Sequence, residues 1–159
     1  MNITREAVSV ALFALLTPLA QPAGPFTVVT RTLRTFTNID QTVLPYLCLV
    51  EDDENDEQKD TFALEEYPLL YYIWLYTPIS ADASVTPATI LNKCLDAVDT
   101  AINTVGGQQP KGMANTLLPW GSGQVLNCWI DGRVMKHVGI VGQGMPSIAR
   151  IPIRVKTGV

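Results

Sequence analysis

The segment YPLLYYIWLYTPI, residues 67–79, constrains the fold more than any other stretch of the chain. Side chains of a strand alternate between two faces. One face here carries Leu69, Tyr71, Ile73 and Leu75, the other Leu70, Tyr72, Trp74 and Tyr76. A strand with one wet face alternates apolar with polar residues; this one does not, so it is expected to be covered on both sides.

Its neighbours supply the covering layers. FTVVTRTLRTF (26–36) and VLPYLCLVE (43–51) read as strands, with Pro45 near the start of the second. After Arg5 an apolar run reaches Leu16, with Thr4 as N-cap, Glu6 in the first turn and Pro18 as the stop. Val8, Leu12 and Leu15, with Ala11 and Phe13, form its apolar stripe. Glu6 within the run and Pro18 before the small residues favour a buried helix over a secretory leader. The run is also shorter than the roughly 20 residues a membrane span takes. Thr86-Pro87 opens a second helix, where Leu91, Leu95, Val98 and Ile102 recur at helical spacing and Gly106-Gly107 ends it.

The last third reads as β-structure: VLNCWI (125–130), a hairpin turn at Asp131-Gly132, RVMKHVGIV (133–141) and IARIPIRVKT (148–157). The expected order is α-β-β-β-α-β-β-β, an α+β domain with two helices packed on one mixed or antiparallel sheet. Long connections fall at 51–66 and 106–123, the second rich in Gly and Pro.

Charge is distributed unevenly. EDDENDEQKD (51–60) holds Glu51, Asp52, Asp53, Glu54, Asp56, Glu57 and Asp60, seven of the fifteen acidic residues. Against Lys59 they leave six net negative charges, whereas everything outside the run is net positive by two. Beyond Asp131 no acid remains and Arg133, Lys136, Arg150, Arg154 and Lys156 accumulate. Complementary patches on one molecule favour head-to-tail contact between copies, closing into a ring where the rotation permits. Apolar residues make up 47% and charged ones 16%, against about 25% charged in ordinary soluble domains, so some apolar surface is expected to be covered by other subunits. The net charge of −4 disfavours general nucleic-acid binding.

Motifs that carry chemistry are weak. GGQQPKGM (106–113) has Lys111 before its last glycine and no Ser or Thr after it, unlike a phosphate loop; GIVGQG (139–144) has the wrong glycine order for a dinucleotide turn. His137 is the sole histidine, flanked by Lys136 and Val138, and reads as structural. Cys48, Cys94 and Cys128 sit in apolar contexts with no metal-ligand spacing and read as small buried hydrophobes. In the acidic run Glu57 occupies the slot where a calcium loop needs glycine, counted from Asp52, so a solvated tip is favoured over a calcium site. No cofactor and no catalytic residue is expected.

The order of elements, with the phrases LPYLCLV (44–50), CWIDG (128–132) and IPIRV (151–155), resembles the tail terminator proteins of long-tailed bacteriophages, the group that includes the minor tail protein U type. A Leu-Gly-Gly is expected before the fourth strand of that family, and WGSGQ (120–124) stands there instead. The resemblance spans nearly the whole chain and implies a single domain over 1–159. It implies a ring, expected to be hexameric, that caps the tail tube, stops its polymerisation and docks the head connector. Its partners would be further copies of itself, the tail tube protein and the connector. DNA would pass through without specific binding, and no membrane is involved. Assembly in the host bacterial cytoplasm and a place at the tail–head junction follow. Subunit contacts are expected at Arg31, Arg34, Tyr72, Trp74, Tyr76, Arg150 and Arg154, with the acidic run facing the lumen or a partner. A head-completion or head–tail joining protein is the alternative in the same class, and a calcium- or small-molecule-binding module the alternative outside it.

Overall fold

The computed structural model describes residues 4–52, 67–80, 82, 84–104, 125–140 and 145–157. They form an α+β fold with two helices on one face of a mixed six-stranded sheet. Helix α1 spans Arg5–Leu16 and α2 spans Pro87–Thr104. The strands are β1 (Val28–Thr30), β2 (Tyr46–Glu51), β3 (Tyr67–Thr77), β4 (Val125–Ile130), β5 (Met135–His137) and β6 (Ser147–Thr157).

Helix α1 starts as its sequence suggests: the Thr4 side-chain oxygen accepts from the Ala7 N–H at 3.1 Å. Its buried stripe is Val8, Leu12 and Leu16, one position on from the expected Leu15, which is half-buried. On α2 the spacing holds for Leu91, Val98 and Ile102, and Cys94 shares their burial while Leu95 lies at the margin. These helices meet Leu47 and Leu49 of β2, Leu69, Tyr71, Ile73 and Leu75 of β3, and Ala149, Ile151, Ile153 and Val155 of β6 in one core. Among the described residues no helix is long and apolar enough to cross a membrane.

The sheet runs β1-β2-β3-β6, with β1 parallel to β2 and the remaining pairs antiparallel. A parallel neighbour needs a crossover of about a dozen residues or more, and this is why the expected strand over 26–36 is cut to three residues. The chain leaves β1 at Thr30 and crosses to the face opposite the helices. There Ile39 and Leu44 are buried against Tyr46, Cys48 and Tyr76, a second small core. The Tyr46 hydroxyl donates to the Thr32 carbonyl at 2.7 Å and the Tyr76 hydroxyl to the Arg34 carbonyl at 2.9 Å, tying the crossover down.

The expected Asp131-Gly132 hairpin is not formed. Strands β4 and β5 do not pair with each other; both lie along the free edge of β6, one after the other. Ile130 pairs with Ile153 and Met135 with Arg150, so the four residues 131–134 stand opposite only two, 151 and 152. The segment is therefore a bulge in a single interrupted edge strand. Gly132 supplies the required backbone at φ 98°, and the Asp131 N–H donates to the Pro152 carbonyl at 2.9 Å.

Candidate functional site

The face of the sheet opposite the helices is only partly covered. The crossover shields the end near Tyr46 and Tyr76, whereas Leu70, Tyr72 and Trp74 of β3 and Arg150, Pro152 and Arg154 of β6 are half-exposed. The expectation that 67–79 is covered on both sides thus holds for one face fully and for the other at one end.

Register builds this surface in rows. Cys48, Trp74, Arg150 and Met135 lie abreast on β2, β3, β6 and β5; Val50, Tyr72 and Pro152 form the next row, and Leu70, Arg154 and Trp129 one beyond. Arg150 sits at the centre. Its guanidinium carbon lies 4.5 Å from the centroid of the Tyr72 ring and 5.7 Å from that of Trp74, and one of its nitrogens is 3.0 Å from Met135 Sδ. Trp74 in turn stacks on Tyr76 with planes 16° apart. Arg154 Nε is 2.7 Å from Asp131 Oδ2, but its N–H is not aimed at the oxygen, so the pair is a charge contact without an aligned hydrogen bond. The other Asp131 oxygen accepts from the Trp129 indole N–H at 3.3 Å.

Arg150, Arg154, Tyr72 and Trp74 come together on this face. Tyr76 is on it but buried under the chain's own crossover, where loss of solvation pushes its phenol to about 12. Arg34 contributes its carbonyl to Tyr76. Arg31 lies on the helix side of the sheet, where its guanidinium donates to both Glu6 oxygens at 2.8 and 3.0 Å and to Ser9 Oγ at 2.7 Å. It also reaches Glu51 at 3.4 Å. The hydrogen bonds from Arg31 hold the Glu6 carboxyl below its ordinary range. Arg31 is therefore engaged within its own chain, tying α1 to the end of β2. Of the acidic run, Glu51 closes β2 and the Asp52 N–H donates to the Leu70 carbonyl; Asp53, Glu54, Asp56, Glu57 and Asp60 lie outside the described residues.

Compared with known protein families, the chain matches no family model. It matches no curated protein either.

Other places offer less chemistry. Among the described residues no three His, Cys, Asp or Glu side chains gather as a metal site. His137 is exposed in β5, opposite Ile148. The cysteines are free and buried, and burial pushes their thiols up to about 11 at Cys48 and Cys94 and about 12 at Cys128, away from nucleophilic use. An open cleft of about 500 Å³ between α2 and the turn before β1 is lined mainly by Leu19, Pro25, Ala97 and Ala101, with Asp96 at its margin.

Met135, Trp129 and Pro152 belong to the open face without having been singled out in the sequence, and Asp131, expected in a hairpin turn, joins it through Arg154. Pro152 had a signal, the alternation of Arg150, Pro152 and Arg154 with Ile151 and Ile153. Met135 had none, because its row is set by the bulge. It is also one of several exposed large apolar residues in this part of the chain: Met135 is 53% exposed, Val138 41%, Ile140 59% and Met145 36%.

Proposed function

We propose that this chain is a structural virion protein that forms a ring, expected to be hexameric, at the end of a bacteriophage tail tube. In that position it stops tube polymerisation and presents a docking surface for the head connector. The observation that carries the reading is the half-open sheet face, with Tyr72, Trp74, Leu70, Arg150 and Arg154 arrayed on regular strands. A surface of large apolar and aromatic side chains with arginines among them has the composition of a protein interface core. Two further features support it. Met135 on that face and Val138, Ile140 and Met145 farther along the chain are exposed apolar residues, and the chain divides its charge between the run at 51–60 and the region after Asp131. The phrases behind the resemblance also fall together: LPYLCLV runs into β2, CWIDG ends β4 and IPIRV lies in β6, three strands of one sheet.

The test is electron microscopy of the purified protein, alone and mixed with tail tubes. Rings seated on tube ends, and tubes that no longer lengthen when tube protein is added, are the expected result. Tubes that keep growing with bare ends would overturn the reading.

A further inference from the structure

We propose that the open sheet face around Arg150 and Arg154 binds the acidic run 51–60 of a second copy of this chain. The inference rests on the assembly reading above and names the contact that would hold copies together.

The face is built for a carboxylate-bearing partner. Among the described residues no carboxylate pairs with Arg150; its neighbours are the Tyr72 and Trp74 rings and Met135 Sδ, which fix the guanidinium without neutralising it. Arg154 has one acidic neighbour, Asp131, whose carboxylate is shared with Trp129, and its side chain stays partly exposed. A planar guanidinium already oriented by packing gives up little freedom on binding a carboxylate in bidentate fashion. The run holds seven carboxylates against one lysine; Glu51 is paired with Arg31 of its own chain, and the other six form a density of like charge that is relieved by meeting cations.

Arginines and aromatics on a sheet also suit single-stranded nucleic acid. Here both aromatic rings already have partners. Arg150 covers one face of Tyr72, and Trp74 has Tyr76 and the Arg150 guanidinium beside it, which reduces the platform either ring offers to a base. The geometry therefore favours an acidic protein segment over nucleobases.

Each copy carries one face and one run, so the contact is heterologous. It adds copies in one direction and ends only where the rotation closes into a ring. That asymmetry gives a direct test with two variants. The first carries Arg150→Glu and Arg154→Glu, with Arg150→Gln and Arg154→Gln as a milder pair should the reversal disturb folding. The second replaces the six carboxylates of 52–60 by Asn and Gln and keeps Glu51, which pairs with Arg31 of its own chain. Each variant alone is expected to sediment as a single copy. Mixed in equal amounts they form a 1:1 complex of twice the mass and nothing larger, since one intact face and one intact run remain. The complex is expected to dissociate as NaCl is raised to about 0.5 M.

A mixture that stays at the mass of one copy overturns the proposal, as does either variant assembling like the wild type. Binding of an oligothymidine to the wild type but not to the first variant would assign the face to nucleic acid. Equal loss of thermal stability in both variants without any complex would place run and face within one copy. Wild-type rings on tube ends without pairing of the variants would sink this contact and leave the tail reading standing; pairing without capping would do the reverse.

Discussion

Arg150 is held by neighbours that offer no charge: two ring faces and a thioether. A cation over an aromatic face at a half-exposed site contributes about 0.5–1 kcal/mol, so Arg150→Ala is expected to lower the unfolding free energy by about 1 kcal/mol, measured by urea denaturation. The buried acids of the second core make a different prediction. Burial lifts Cys48 from 9.0 to about 11 and Tyr76 from 10.0 to about 12, and raises Tyr46 as well. Cys94 and Cys128 move the same way on the helix side. Below about pH 8 these groups are almost wholly neutral in both states and favour neither. Above it the unfolded chain releases their protons first, which draws the equilibrium towards unfolding. Stability is therefore expected to fall as pH rises from about 9 towards 11, and Cys48→Ala should shallow that slope by the share of one thiol. A urea midpoint unchanged between about pH 8 and about pH 10 would contradict it.

At the scale of elements, the crossover 31–45 and helix α2 cover opposite faces of the sheet by different means. Helix α2 depends on apolar fit, and Leu91→Ala is expected to cost about 2–5 kcal/mol through the lost side chain and the cavity it leaves, read from the denaturation midpoint. The crossover depends on few contacts, among them the Tyr76 hydroxyl on the Arg34 carbonyl. Tyr76→Phe removes that bond and is expected to cost about 1 kcal/mol, with faster amide hydrogen exchange confined to residues 31–45. The same contrast explains what could be read from the chain beforehand. Helices α1 and α2 announce themselves through caps and period, β6 through alternation and β3 through an unbroken apolar run, all of which are local. The Asp131-Gly132 pair also gives a local signal, a positive φ, but a hairpin turn and a bulge need that same backbone. The choice between them was made by β6, which offers a partner to both β4 and β5. Likewise 26–36 is rich enough in β-branched residues for a long strand, yet the parallel register with β2 draws most of it into the crossover. Of the candidate surface, Arg150 and Arg154 were legible from alternation along β6. Met135 was not, and the ion pairs of Arg31, expected at a subunit contact, with Glu6 and Glu51 could not be read because those partners are far from it in sequence.

At the scale of the whole molecule two forces compete to drive association, and solution conditions separate them. The half-open face and the exposed Met135, Val138, Ile140 and Met145 offer apolar surface, whose burial strengthens with excluded salts such as sulfate. The run at 51–60 and the arginines of β6 offer charge, whose attraction fades within about 8–10 Å at moderate salt. If charge sets the contact, the assembled mass falls as NaCl rises. It also falls as pH drops towards about 4, the ordinary range in which Asp and Glu side chains take up protons and Arg does not lose them. Far-UV circular dichroism should meanwhile show the helices intact. Sodium sulfate discriminates further, because it screens charge and strengthens apolar burial at once. We expect sulfate to dissociate the assembly as NaCl does, measured by sedimentation across a salt series. Growth of the assembled mass in sulfate would instead mean that the exposed apolar residues hold copies together, and that the arginine face is left for another partner.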